Sequence, residues 1–221
     1  MEMSVTEQFV ILSVHRENGR VMIDNMHFKY SLAGAVLMDF LDREEITIND
    51  KRIIPSFRKN GDQIHDMFAE IIEGYSKPRR ISRWVSSLSG KGWLVFKETI
   101  NSLINKGIIR YEKRYFLKIF PYNRFFHTDI RTRTGIIDEI CEVLLHDKQP
   151  TRKQSMLTGL INASRSYRIL AKENEEKWIL KRKCKEFVKI DTLSSEIDKA
   201  IREIQSAISS EISAAAAAAA S

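Results

Sequence analysis

"SLAGAVLMDFLDRE", residues 31–44, is the stretch on which the fold turns. Its apolar residues fall on almost every side of a helix, and a helix apolar all round belongs in the middle of a protein. Ser31 stands where an N-cap is expected. "EITINDKRIIPSF" follows and alternates about Asn49-Asp50, the pattern of a small hairpin. Upstream, "EQFVILSVHRENGRVM" reads as a strand or short helix, a turn at Glu17-Asn18-Gly19 and a return strand.

Downstream the period is helical. Ile64, Met67, Phe68, Ile71, Ile72 and Tyr75 form one stripe, and Ile81, Trp84, Val85 and Leu88 form the next. "WLVFKETINSLINKG" carries Phe96, Ile100, Leu103 and Ile104 and stops at Gly107. Two further helices follow, through Ile136–Leu144 and Met156–Ile161. "WILKRKCKEFVKI" is a helix with one basic side, and Leu193, Ile197, Ile201, Ile204, Ile208 and Ile212 form an apolar stripe on the last one. The reading is a mainly α domain over residues 1–213, with a buried central helix, amphipathic helices around it and small β-hairpins. Residues 214–221, seven alanines and a serine, are an Ala-rich low-complexity tail.

The formal net charge of +7 points to an anionic partner or to a solvated Lys/Arg surface. Cys141 and Cys184 have no metal-ligand spacing and suit a reducing compartment. No apolar run approaches the ~18 residues of a spanning helix. The start carries acidic residues where a signal peptide carries basic ones, so the expectation is a cytosolic protein whose membrane contact is peripheral. The five histidines (15, 27, 65, 127 and 146) are scattered singly, and no HExxH, GxxxxGK[ST], CxxC or GxSxG is present. We therefore expect no enzymatic activity, no cofactor, and no catalytic or metal-binding residue.

Three basic groups remain. "KPRRISRW", residues 77–84, enters a helix. "NKGIIRYEKRYFLKIFPYNRFF", residues 105–126, places apolar runs about a polar turn at Glu112-Lys113-Arg114, with aromatics among its cations. It resembles a nucleic-acid-binding wing, although Tyr115, Leu117 and Ile119 alternate onto one face that core packing explains better. In "KQPTRKQSML", Arg152 and Lys153 sit in the first turn of a helix, beside free backbone amides that suit a phosphate.

In chain order, "YSLAGAVLMDFLDREEITI", "NGDQIHDMFAEII", "WVSSLSG", "INSLINKGIIRYEKRYFLKIFP" and "KQPTRKQSMLTGLINAS" resemble segments of the Golgi phosphoprotein 3 family. The likeness runs from about Val10 to Ile212. It implies a helical, non-enzymatic, cytosolic peripheral membrane protein. Such a protein binds phosphatidylinositol 4-phosphate or another anionic headgroup in a shallow basic pocket. It also engages protein partners such as the cytosolic tails of membrane enzymes. The resemblance carries Arg152 over as a headgroup-binding residue, and Lys153 continues the basic pair as the second. Other pocket positions differ: the helix arginine falls at Ala33, the tryptophan near Asp24 or Asn25, and a further basic position at Gln149. The family's membrane-inserting apolar hairpin is expected near Ala171–Trp178, where this chain has "AKENEEKW". The rival readings are a winged-helix-like nucleic-acid binder and a protein-only interaction scaffold; nucleic acid is not the expected partner.

Overall fold

Ser4 opens the first helix with a capping box. Its Oγ accepts the Glu7 N–H at 3.2 Å, and Glu7 Oε2 accepts the Ser4 N–H at 3.3 Å. The next two amides of this helix, α1 (Val5–Ser13), donate to the Asp39 carboxylate at 2.6 and 3.2 Å. Asp39 belongs to α2 (Asn25–Asp42), so the first helix is fastened to the second through its own start. Burial raises the Asp39 pKa, against the lowering effect of these hydrogen bonds. The computed structural model describes residues 3–58, 61–146, 148–171, 174–189 and 196–220.

The segment read as a strand or short helix at the start is thus a helix, followed by a turn and an isolated antiparallel bridge, Val14 to Val21. α2 starts earlier than Ser31, because Asp24 is the residue that caps it, accepting from the His27 N–H at 3.1 Å. Ser31 lies inside the helix and donates to His27 O. Its buried residues include Phe28, Leu32, Ala33, Val36, Leu37, Met38 and Phe40. β1 (Ile46–Asn49) and β2 (Arg52–Pro55) form the expected hairpin, turned by Asp50 and Lys51, both at positive φ.

α3 (Gln63–Glu73) begins on the Asp62 cap, and its His65 is buried between Glu45 (Nε2 to Oε2, 2.7 Å) and Asp66 (Nδ1 to Oδ1, 2.9 Å). α4 (Ile81–Ser89) and α5 (Gly92–Asn105) follow, then a second antiparallel hairpin, β3 (Ile109–Phe116) with β4 (Phe120–His127). α6 (Ile130–Leu145), α7 (Arg152–Ala163), a 3-10 turn (Tyr167–Ile169) and α8 (Asn174–Lys189) lead to the long α9 (Glu196–Ala220). The described residues are therefore mainly α-helical, with two small hairpins. The alanines read as a low-complexity tail continue α9 to Ala220. Of the stripe expected on that helix, Leu193 lies outside the described residues, whereas Ile201, Ile204, Ile208 and Ile212 are buried.

α9 packs against α2, α4 and α7, and α2 also against α1, α4, α5 and α7. This approach leaves no room for side chains at two glycines. A Cβ on Gly34 of α2 would overlap the Ile208 side chain, and one on Gly159 of α7 would overlap the amide of Gln205. The Ile208 methyls are buried and have few ways to withdraw, so Gly34→Ala is expected to destabilise by about 1–3 kcal/mol through overpacking. Urea denaturation checks this: the midpoint should fall with an unchanged slope.

Candidate functional site

The β3–β4 hairpin leaves the body of the protein from a well-packed root. Ile109 and Phe126 are buried, and Phe125 meets Phe96 of α5 with ring centroids 5.4 Å apart. The Phe125 N–H donates to Gly19 O at 3.0 Å, and His127 Nε2 lies 3.0 Å from Ile11 O. The hairpin is thereby joined to both α1 and the turn that follows it.

The turn expected at Glu112-Lys113-Arg114 lies instead inside β3, and the chain reverses at Leu117–Ile119, with Phe116 opposite Phe120. Leu117 and Lys118 both have positive φ, a conformation that glycine or asparagine usually takes. The face read as core is not core. Tyr115 is 54% exposed, Leu117 69%, Ile119 71% and Phe120 61%. These four side chains form an apolar tip about 23 Å along the strand from Ile109, at ~3.3 Å per residue.

Along one face of the hairpin, cations and rings interleave. Arg110 and Arg114 lie over the Phe126 ring at 4.8 and 5.0 Å, and Arg124 over Tyr122 at 4.2 Å. Glu112 sits between Arg110 and Arg114, whose hydrogen bonds, that of Arg114 first, hold its carboxyl below the usual range. Burial, and then the neighbouring Arg20, hold the Arg124 pKa below the ordinary arginine value. On the other face Lys113 lies 5.8 Å from the Tyr115 ring. Basic side chains thus rim an apolar tip.

Arg152 and Lys153 are brought together as the sequence suggested, in the first turn of α7. That turn is closed by its own capping box, Thr151 with Gln154, which uses one of the amides expected to be free. Both cations reach across to the C-terminal end of α2. Arg152 donates to Leu41 O, with Nε 3.7 Å from Asp42 Oδ1 and Nη1 3.8 Å from Glu44 Oε1. Lys153 Nζ lies 3.5 Å from Asp42 Oδ2 and donates to Met3 O at 3.3 Å. Positive charge there complements the negative end of the α2 dipole.

The "KPRRISRW" group also has structural partners. Arg79 stacks over Tyr75 (4.3 Å) and Trp84 (5.1 Å), and Arg52 Nη1 donates to Pro78 O at 3.0 Å. In place of the apolar hairpin expected near Ala171–Trp178, the structure has the start of α8; residues 172–173 lie outside the described ones. The hairpin with an apolar tip is β3–β4. Cys184 is buried in the core, which pushes its thiol up to about 12, and Cys141 is half-buried. No helix among the described residues is long and apolar enough to cross a membrane.

Compared with known proteins, residues 5–204 match the model of the Golgi phosphoprotein 3 (GPP34) family. That span is nearly the whole chain, and the protein belongs to this family. No curated protein matches it.

His127 at the hairpin root gives a pH test. Burial lowers its pKa, so the folded state binds a proton less readily than the unfolded chain. Its contribution to stability is complete above the ordinary histidine value of about 6.5 and is lost as pH falls below it. The melting temperature should drop between about pH 7 and about pH 5, with a shallower slope in His127→Gln. Equal slopes in the two proteins would remove His127 from the account.

Proposed function

We propose that this chain is a non-enzymatic peripheral membrane adaptor that docks through the tip of the β3–β4 hairpin. The observation that carries the reading is the exposed cluster of Leu117, Ile119 and Phe120 beside Lys113, Arg114 and Lys118. Apolar side chains held out on a short turn enter the headgroup–acyl boundary at little cost to the fold, and each gains up to about 1.5–3 kcal/mol from full burial. Flanking cations add about 1 kcal/mol each near an anionic leaflet. Membership of the Golgi phosphoprotein 3 family supports an adaptor of this kind. Its ligand would be an anionic headgroup such as phosphatidylinositol 4-phosphate, and its protein partners would include cytosolic tails of membrane enzymes. The place of action is the cytosolic face of a membrane.

In this reading the first lipid contact belongs to the hairpin. Arg152 and Lys153 would have to exchange Asp42, Leu41 O and Met3 O for a headgroup phosphate.

Flotation with vesicles of phosphatidylcholine and phosphatidylserine tests the proposal. Leu117→Asp/Ile119→Asp should weaken binding by at least about ten-fold without lowering the melting temperature. Arg152→Gln/Lys153→Gln should float like the wild type. Undiminished flotation of the tip variant would refute the hairpin as the docking element. So would a variant that changes only the oligomeric mass measured by light scattering.

A further inference from the structure

On a different part of the surface, the turn after α1, the first half of α6, the 3-10 turn and α8 enclose a cleft of about 500 Å³. Its charged lining consists of Arg16, Glu17, Arg133, Asp138, Arg168 and Lys177. Four cations against two carboxylates leave two net positive charges with His15 neutral. Glu17 is engaged by Arg16 at 3.2 Å. Among the described residues, Arg133, Arg168, Lys177 and Asp138 form no ion pair.

Arg133 is the unusual member. It is only 7% exposed, yet it forms no ion pair with a carboxylate; the charge that acts on it is another cation, Arg16. One of its nitrogens, Nη2, donates to Ile169 O at 2.7 Å, which holds the guanidinium against the 3-10 turn. Its Nε is buried with no hydrogen-bond partner. A buried guanidinium without an anion is costly, and an unused donor adds to the cost. A structural role in holding one carbonyl needs no charge, so the fold carries a buried cation that its own residues leave unneutralised. Burial, then Arg16, lower the Arg133 pKa, which is the electrostatic signature of that deficit.

We infer that this cleft is an anion-binding site for a phosphate monoester, with Arg133 as its buried anchor and Arg16, Arg168 and Lys177 at its mouth. The planar guanidinium fork suits phosphate oxygens, a dianion matches the excess of two positive charges, and the volume admits a phosphate with part of its ester group. The site is separate from Arg152 and Lys153, which close the end of α2. It adjoins the hairpin root: the turn bearing Arg16 and Glu17 continues to Gly19, whose carbonyl accepts from Phe125. The ligand is therefore either a soluble phosphate ester or a phosphorylated lipid headgroup presented to the cleft when the tip is docked.

The test begins with thermal unfolding of the full chain in inorganic phosphate, against chloride at equal ionic strength. At ten times the dissociation constant, phosphate should raise the melting temperature by about 4 °C. Arg168→Glu/Lys177→Glu should melt with the wild type in chloride and lose the phosphate-dependent rise. No rise in the wild type, or the same rise in the variant, would overturn the site. Flotation on phosphatidylcholine vesicles carrying either phosphatidylinositol 4-phosphate or phosphatidylserine at equal charge then identifies the source. Loss of preference for the phosphoinositide in the variant assigns a headgroup. Unchanged flotation together with a lost phosphate response assigns a soluble ester. The tip variant Leu117→Asp/Ile119→Asp should keep its phosphate response whether or not the membrane proposal holds, so the two failures are distinguishable.

Discussion

The close approach of α9 to α2 is the contact on which the rest of the packing depends. α2 has buried residues on so many sides that several helices must cover it, and α9 comes from the far end of the chain. It can lie close only because Gly34 and Gly159 present bare backbone to Ile208 and Gln205. Ile201, Ile204, Ile208 and Ile212 of α9 then pack where that helix meets α2, α4 and α7. Contact between Gly34 and Ile208, 174 residues apart, carries a loop-closure cost that hydrophobic burial must exceed. The N-terminal side is secured differently, with a polar device: the Asp39 carboxylate holds the first amides of α1. Chain start and chain end therefore meet the same helix by unrelated means.

Much of this was legible in residue pattern. The apolar run through residues 31–44, the hairpin about Asn49-Asp50 (its turn falls one residue later, at Asp50-Lys51) and the isoleucine stripe of α9 each combine local preference with periodicity. The start of α2 was misread because Ser31 is a favourable cap residue by type, while Asp24 lies seven residues earlier before "NMHFKY", which shows little stripe. The buried Arg133 had no sequence signal at all. It lies in "IRTRTGII" beside the exposed Arg131, and only the packing of the 3-10 turn and α8 around α6 separates the two.

The hairpin tip was hidden by the absence of turn residues. Leu117 and Lys118 adopt positive φ without glycine or asparagine, so propensity favoured the polar Glu112-Lys113-Arg114 instead. Once the turn moves, the same alternation that suggested core gives the opposite answer, because Tyr115 and Leu117 stand beyond the last element that could cover them. Pro121 is tolerated since a two-stranded hairpin consists only of edges. Four apolar side chains left in water at the tip contribute nothing to the stability of the fold. Such an arrangement supports the docking role proposed for the tip.

Charge across the molecule is divided by a similar logic. Elsewhere cations have carboxylates beside them: Arg152 and Lys153 have Asp42, and Arg110 and Arg114 have Glu112. Around Arg133 the matching fails: it forms no ion pair, and Arg16, the charge that acts on it, has the same sign. Tighter folding would follow from an apolar residue there, because buried charges seldom repay their desolvation even when paired. The turn from His15 to Gly19 connects this unmatched cation to the hairpin root, through the cleft on one side and the bond to Phe125 on the other. An anion in the cleft would neutralise Arg133 and draw Arg16 inward, and Arg16 lies three residues from the carbonyl that holds β4. In this proposal, filling the cleft and fixing the hairpin's angle to the body would be coupled through one short segment.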